Sequence, residues 1–73
     1  MDRIITDPKI LVGKPVIKGT RIPVYLVLNL VANGKTPKQI IEDYPDLTEA
    51  DIRAAIQYAA SHMKYEETRI LEA

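Results

Sequence analysis

The sequence predicts a mainly α fold: a three-helix helix-turn-helix (winged-helix or homeodomain-like) domain with a short N-terminal β-hairpin region. Three observations support this fold class. Residues 1–23 alternate β-prone pieces with turn residues, residues 24–33 are mostly apolar and precede a glycine, and two helix N-capping sequences begin at Thr36 and Thr48. We therefore expect a single domain over residues 1–73, with a β/turn region at 1–23, a helical core at 24–67 and a tail at 68–73.

The N-terminal region contains four β-prone pieces, each too short to form a sheet alone: Ile4-Ile5, Ile10-Leu11-Val12, Val16-Ile17 and Arg21-Ile22. An isolated two-stranded hairpin is only marginally stable in water. The segment from Val16 to Ile22 is therefore expected either to dock on the helices or to pair with a second chain. Val16, Ile17 and Ile22 are the candidate residues of such a dimer contact.

The first helix is predicted from Val24 to about Asn33. Pro23 precedes it, and the fixed φ of proline suits the approach to a helix. Apolar side chains lie nearly all round this segment, which is typical of a helix buried on most sides. Its β-branched content makes a strand the rival prediction, but Asn33-Gly34 is typical of a helix end with glycine in the left-handed conformation.

Two further helices follow from their capping sequences. Thr36-Pro37-Lys38-Gln39 combines an N-cap threonine, a proline at the first helical position and a glutamine three residues after the cap, which is a capping box. The helix that it begins is short because Tyr44-Pro45 ends it. Thr48 caps the last and longest helix, whose end is expected near residues 65–68.

The composition excludes several kinds of protein. The 73 residues contain no Cys and one His, so disulfides and Cys-based or His-rich zinc sites are excluded, and no cofactor is expected. A chain this short rarely builds a sufficient core alone, which makes a homodimer the expected remedy. The first residues lack the apolar core of a signal peptide, and no apolar stretch approaches the roughly 20 residues that span a bilayer. We expect a cytoplasmic protein without membrane contact.

Charge divides the chain into two halves. Overall, 10 Lys and Arg balance 10 Asp and Glu. Residues 1–38 contain seven basic and two acidic residues, a net charge of plus five, whereas residues 39–73 contain three basic and eight acidic residues, a net charge of minus five. Such a division indicates one surface for a polyanion and another for a basic partner. The alternative is that folding interleaves the charges.

Two helices joined by a turn of about four residues are the pattern of a DNA-binding helix-turn-helix, whose second helix enters the major groove. A plain helical hairpin that never meets DNA is the alternative. The acidic start of the last helix disfavours phosphate contacts, and Glu49 can pair with Arg53 four residues later. The candidate DNA-binding residues are basic side chains and one amide: Lys14, Lys18, Arg21, Lys35, Lys38, Arg53 and Gln57.

The segment Gly13-Lys14-Pro15-Val16-Ile17-Lys18-Gly19-Thr20-Arg21-Ile22-Pro23-Val24 carries a family resemblance. Together with Asn33-Gly34, Asp43-Tyr44-Pro45 and Leu47-Thr48, it resembles the bacterial and archaeal family called domain of unknown function 433, over about residues 4–65. The resemblance implies a small dimeric helix-turn-helix protein with a β-rich N-terminal part. Members of that family are often found beside a PIN-like nuclease toxin and resemble antitoxins that bind the toxin and their own promoter. The resemblance implies no catalytic residue.

Other kinds of site are disfavoured. The glycine-rich segment is not a phosphate-binding loop, because five residues rather than four separate Gly13 from Gly19, and Thr-Arg follows instead of Lys and a hydroxyl residue. His62 and Glu66 on one helix supply two metal ligands, which do not make a site. Paired acids such as Glu42-Asp43 are typical of solvated helix ends. A non-enzymatic protein without a small-molecule substrate is therefore expected.

Arg21 and the tail each have two interpretations. The planar guanidinium of Arg21 suits either an acidic group across a dimer, such as Asp43 or Asp46, or a phosphate. The acidic and apolar tail suits either a groove of a protein partner or a frayed helix end that folds back. Its candidate partner-binding residues are Tyr65, Ile70 and Leu71.

Two functional hypotheses follow from the sequence. The first is a dimeric DNA-binding antitoxin and autorepressor, with its basic half on DNA and its acidic half on a PIN-like toxin protein. The second is a protein–protein adaptor that dimerises without binding nucleic acid.

Overall fold

The computed structural model describes the backbone of residues 3–72 and the side chains of residues 3–63. In chain order the elements are strand β1 (Ile4–Ile5), a 3₁₀ turn (Leu11–Gly13), strand β2 (Val16–Ile17) and helices α1 (Val24–Ala32), α2 (Pro37–Asp43) and α3 (Glu49–Glu72). The predicted fold class, three helices with a short N-terminal antiparallel hairpin, is confirmed.

Strand β2 is paired within its own chain along both edges. Ile4 lies opposite Ile17 and Ile5 opposite Val16 in the antiparallel pair of β1 and β2. On the other edge, the amide of Ile17 donates to the carbonyl of Ile22 at 3.0 Å, which closes a tighter hairpin. The Ile17 side chain belongs to the core between the helices. Of the two alternatives for this segment, docking on the helices is the one that the structure shows.

The segment Ile10-Leu11-Val12 is a turn, although its composition predicts a β-prone piece. Leu11 and Val12 have φ angles of 50° and 55°, in the left-handed region, and Gly13 follows at 78°. Left-handed geometry costs a non-glycine residue roughly 1–2 kcal/mol, because its Cβ approaches the following carbonyl oxygen. The amides of Ile10, Gly13 and Lys14 donate to carbonyls three residues earlier, so local turn bonds replace a strand ladder here.

Helix α1 ends as its sequence predicts. Gly34 has a φ of 88°, its amide donates to Val31, and the amide of Lys35 donates to Leu30, both at 3.0 Å. These two bonds form a Schellman motif, which satisfies the last carbonyls of the helix. The prediction that α1 is buried on most sides is too strong. Its fully buried residues are Val24 and Val27, because the other two helices and the hairpin cover one face of α1 and leave the rest partly exposed.

Helices α2 and α3 both begin with capping boxes. The hydroxyl oxygen of Thr36 accepts from the amide of Gln39 at 3.2 Å, and the Thr36 amide donates to Oε1 of Gln39 at 2.9 Å. The hydroxyl oxygen of Thr48 accepts from the amide of Asp51 at 3.2 Å, and the Thr48 amide donates to Oδ2 of Asp51 at 3.0 Å. The predicted helix starts at both threonines are confirmed.

Helix α3 is longer than expected. The predicted end near residues 65–68 is wrong, since the helix continues to Glu72. No glycine or proline interrupts the sequence after Thr48, so no residue with a strong helix-ending preference is present. The side chains of Tyr65, Ile70 and Leu71, the candidate partner-binding residues, lie outside the described residues.

The core lies where β2 and the three helices meet. Its buried residues are Ile17, Val24, Val27, Ile40, Leu47, Ile52 and Ala55. Strand β2, the three helices and the loop between α2 and α3 each contribute at least one of these side chains. Their packing fixes the relative positions of the helices. Within the part of the chain that is described, no helix combines the length and the apolar character needed to cross a membrane.

Candidate nucleic-acid interface

Helices α2 and α3 are joined by residues 44–48, the connectivity of a helix-turn-helix. Leu47 in this turn is 2% exposed, so the turn is anchored in the core. A crevice of about 170 Å³ lies between the start of α2 and the outer side of α3, and its lining residues are Pro37, Glu49, Ile52, Arg53, Ile56 and Gln57. The beginning of α2 therefore lies beside the face of α3 that carries the base-contacting candidates.

Two of the seven candidate DNA-binding residues line this crevice, and two more are close in sequence to a third residue of its lining. Arg53 and Gln57 line it, and Pro37, which lines it from α2, is flanked in the sequence by the exposed Lys35 and Lys38. We call these four residues the α2–α3 group. Lysines suit phosphate oxygens, whereas arginine and glutamine can form paired hydrogen bonds with base edges. This arrangement can in principle serve both kinds of contact.

The α2–α3 group also has an acidic and an apolar neighbour. Glu49 and Ile56 line the same crevice, and Ile56 is 42% exposed. Glu49 and Arg53 do not form the ion pair that their spacing in the sequence allows. Among the side chains that the structure describes, the ion pair present is Arg3–Asp51. An exposed pair gains little free energy in water, which explains why sequence spacing alone does not bring these charges together.

The other three candidates belong to the N-terminal region. Nζ of Lys14 lies 5.2 Å from the ring centroid of Tyr25, a cation–π geometry. Lys18 and Arg21 flank the hairpin turn at Gly19, where φ is 83°. We call Lys14, Lys18 and Arg21 the hairpin group. The structure does not join it to the α2–α3 group.

Arg21 lies in a separate, open cleft of about 690 Å³. Its walls come from the hairpin turn and from the turn after α2, and its lining residues are Ile10, Gly19, Thr20, Arg21, Ile22, Asp43, Tyr44, Pro45 and Asp46. This cleft is at the end of α2, whereas the crevice is at its start, and a helix of seven residues is about 10 Å long. The Arg21 cleft is therefore a different surface from the crevice beside Pro37.

The predicted dimer residues are mostly interior. Val16 is 0% and Ile17 1% exposed within the single chain, so neither side chain is accessible to a second copy. Ile22 is half-buried and lines the Arg21 cleft. A contact between chains at this region would thus use the cleft rather than the two strand side chains.

Asp51 is the site feature that sequence analysis missed. Asp51 is 8% exposed. Its Oδ1 accepts from Nη1 of Arg3 at 3.0 Å, and its Oδ2 accepts from the amide of Thr48 at 3.0 Å. The carboxylate is therefore paired and turned inward, which leaves Glu49 as the exposed acid in the first turn of α3. The position of Asp51 three residues after Thr48 was the available signal; nothing in the sequence indicated Arg3.

Arg3 and Gln57 also line a further pocket, together with other polar side chains of α3. This pocket of about 250 Å³ is lined by Arg3, Ile4, Ala54, Gln57, Tyr58, Ser61 and His62. The rings of Tyr58 and His62 are 4.3 Å apart, and Nδ1 of His62 lies 3.1 Å from the carbonyl oxygen of Tyr58. Within the described residues, no three His, Cys, Asp or Glu side chains converge as a metal site would require.

The fold is that of a helix-turn-helix domain with three helices and an N-terminal pair of antiparallel strands. The chain belongs to the family described as "Protein of unknown function (DUF433)", whose model matches residues 4–59.

Similar proteins agree with this assignment. A DUF433 member from Anabaena variabilis has a crystal structure that superposes with a TM-score of 0.79 at 28% identity, covering 97% of this chain and 70% of that one. The chain is 41% identical over 59 residues to the uncharacterized protein y4eO of Sinorhizobium fredii, and 71% identical over 24 residues to an uncharacterized protein of Archaeoglobus fulgidus. These matches cover 81% and 33% of this chain, and 27% and 67% of the two relatives. The chain thus spans about a quarter of the rhizobial protein.

Proposed function

We propose that this chain is a small dimeric DNA-binding protein of the cytoplasm, the antitoxin and autorepressor of a toxin–antitoxin pair with a PIN-like nuclease toxin. The observation that supports DNA binding is the crevice between α2 and α3: the exposed Arg53 and Gln57 line it, and the exposed Lys35 and Lys38 flank Pro37, which lines it from α2. In such motifs the second helix contacts base edges with its N-terminal residues, which here include Arg53.

The pairing of Asp51 weakens the main objection to DNA binding. Two carboxylates at the start of a recognition helix would repel phosphates, but one of them is held by Arg3 and Thr48 on the inner side of α3. Glu49 stays exposed, and a glutamate there has a use, since it can accept a hydrogen bond from N4 of cytosine.

A mobility-shift assay with the DNA upstream of the chain's own gene tests the proposal. Binding should occur at low salt and fall steeply between about 50 and 200 mM salt, because phosphate contacts release counterions. Lys38→Glu should weaken it at least about tenfold. Lys9→Glu is the matched control, because Lys9 is an exposed lysine outside both groups and only its backbone amide is bonded, to Asp7. Absence of a shift at low salt would refute DNA binding.

The antitoxin part of the proposal is supported by the family resemblance and by the acidic second half of the chain. A nuclease toxin binds nucleic acid, so its site is expected to be basic and complementary to a net charge of minus five over residues 39–73, with three basic and eight acidic residues. Tyr65, Ile70 and Leu71 are the proposed apolar contacts. The test is co-purification with the product of a neighbouring nuclease-like gene, which Ile70→Ser with Leu71→Ser should reduce and Lys9→Glu should not.

A protein–protein adaptor without DNA binding is the second candidate, favoured by the crevice itself. Ile56 is 42% exposed beside Glu49, and an apolar and acidic surface suits a protein segment better than a phosphate backbone. Under this alternative no DNA shift appears at any salt concentration, and Ile56→Ser lowers co-purification with the neighbouring gene product.

A further inference from the structure

Three exposed apolar side chains lie on the N-terminal side of the molecule, on a loop and on the helix beside it. Leu11 is 39%, Val12 92% and Tyr25 53% exposed. Lys14 connects the loop to α1, since its Nζ lies 5.2 Å from the ring centroid of Tyr25. Single exposed apolar residues are ordinary, but neighbouring ones indicate a contact surface.

The backbone of this loop presents its side chains to solvent at an energetic cost. Leu11 and Val12 have left-handed φ angles of 50° and 55°, and a β-branched residue such as Val12 is rarely found there. Strained positions of this kind concentrate where a segment makes a functional contact. We call residues 10–14 the apolar loop.

The apolar loop continues into the Arg21 cleft, because Ile10 is one of the residues that line this cleft. One wall of the cleft carries the Arg21 guanidinium and the other carries the carboxylates of Asp43 and Asp46. Among the described side chains, Arg21 makes no ion pair with either of these carboxylates. The cleft therefore carries both signs of charge on one surface.

We infer that the apolar loop, Tyr25 and the Arg21 cleft form the surface through which two copies of this chain pair around a two-fold axis. A two-fold operation places the same patch on both sides of an interface, so a patch with both charges is complementary to itself. Arg21 then faces the partner's Asp43 and Asp46, the reciprocal contact forms at the same time, and Val12 is removed from water.

A second copy fits this surface better than another occupant for two reasons. Charge complementarity is satisfied by the patch itself, without any further partner. Of the three residues that the sequence predicts for a dimer contact, Val16 and Ile17 are buried in the core of the single chain. Ile22, the third, lines the cleft and remains available to a second copy. The inference rests on the dimeric state that is part of the proposed function, and it identifies the surface through which the two copies of that dimer pair.

Sedimentation equilibrium over a range of concentrations tests the interface through charge reversal. Arg21→Glu should raise the dimer dissociation constant at least about tenfold, and so should Asp43→Arg with Asp46→Arg, since each change turns attractive contacts into repulsive ones. Mixing the two variants should restore a dimer as tight as the wild type, because the introduced glutamate of one copy then meets the two introduced arginines of the other. Arg53→Glu, an equal charge change on α3, is the control and should leave the constant unchanged.

Val12→Asn separates loss of the interface from loss of folding. Asparagine tolerates left-handed geometry, so this variant should keep or raise the urea midpoint of the monomer at low concentration while weakening the dimer. A wild-type dimer that none of these changes affects would overturn the interface and leave the dimeric state intact. A chain that stays monomeric at every concentration would overturn both, and DNA binding is measured separately by mobility shift.

Discussion

Nη1 of Arg3 donates a 3.0 Å hydrogen bond to Oδ1 of Asp51, which connects the residue before β1 to the first turn of α3 across 48 positions of sequence. Oδ2 of the same carboxylate accepts from the amide of Thr48, also at 3.0 Å. One side chain therefore caps a helix and attaches the N-terminal strand to it. This double role also keeps a negative charge off the outer face of α3.

We expect Asp51→Ala to lower the free energy of unfolding by about 2 kcal/mol, since it removes the reciprocal bond of the capping box to the Thr48 amide and leaves the Arg3 guanidinium without its partner. Arg3→Ala should cost less, about 0.5 kcal/mol, because the Arg3 side chain is 51% exposed and the pair is screened by solvent. Urea denaturation followed by circular dichroism measures both, with Arg53→Ala as an exposed control. Equal losses for the two variants would show that the ion pair, not the cap, dominates.

Gly34→Ala should cost about 1 kcal/mol through backbone conformation alone. A Cβ at this position would meet no atom within 4 Å, but φ is 88°, where residues with side chains are strained. Gly34→Asn should recover part of the loss because asparagine tolerates this conformation better. Thermal denaturation of the two variants checks the order. A loss well above about 2 kcal/mol for alanine would contradict a purely conformational cause.

Thr36→Ala should lower stability by about 1 kcal/mol, because the Gln39 amide loses its acceptor at the start of α2. The substitution changes no charge, yet it loosens the helix start that lies between Lys35 and Lys38. We therefore expect a small decrease in DNA affinity at unchanged salt dependence. Gln39→Ala, which removes the reciprocal bond of the same capping box, should have a smaller effect on urea stability. A larger loss of stability for Gln39→Ala than for Thr36→Ala would show that the Gln39 side chain makes the more important bond of this capping box.

The features predicted correctly from the sequence are local. The Thr36 capping box, the bounds of α2 and the glycine end of α1 each depend on residues within five positions of one another, so a short stretch of sequence contains each interaction. The turn at Leu11 and Val12 was missed for the opposite reason. β-propensity reflects the fit of a side chain to a half-buried pleated surface, and the tertiary structure offers Val12 no such surface.

The candidate site was predictable in its residue types but not in its grouping. Basic residues were identified by charge, and the capping sequences located the starts of α2 and α3, but not the packing that places Pro37 and Arg53 at one crevice. The position of Arg21 depends on how the hairpin packs against the turn after α2, a contact with no periodic signal. The Arg3–Asp51 pair spans the chain and is equally invisible to local patterns.

The α2–α3 group predicts two different effects on DNA binding, one on affinity and one on specificity. Lys38→Ala should weaken binding to all sequences alike and reduce the slope of affinity against salt by about one, since it removes one phosphate contact. Gln57→Ala should leave the slope unchanged and relax discrimination at one base pair by about 1–3 kcal/mol, since a glutamine amide can pair with an adenine edge. Binding to duplexes with single base-pair changes at several salt concentrations separates the two.

Lys18→Ala is the control in the same assay, because Lys18 belongs to the hairpin group, which the structure does not join to the α2–α3 group. It should change neither slope nor specificity. Each phosphate contact that is lost reduces the number of counterions released on binding by about one. A reduced slope of affinity against salt for Lys18→Ala, with an unchanged slope for Lys38→Ala, would therefore place the DNA-binding surface at the hairpin group.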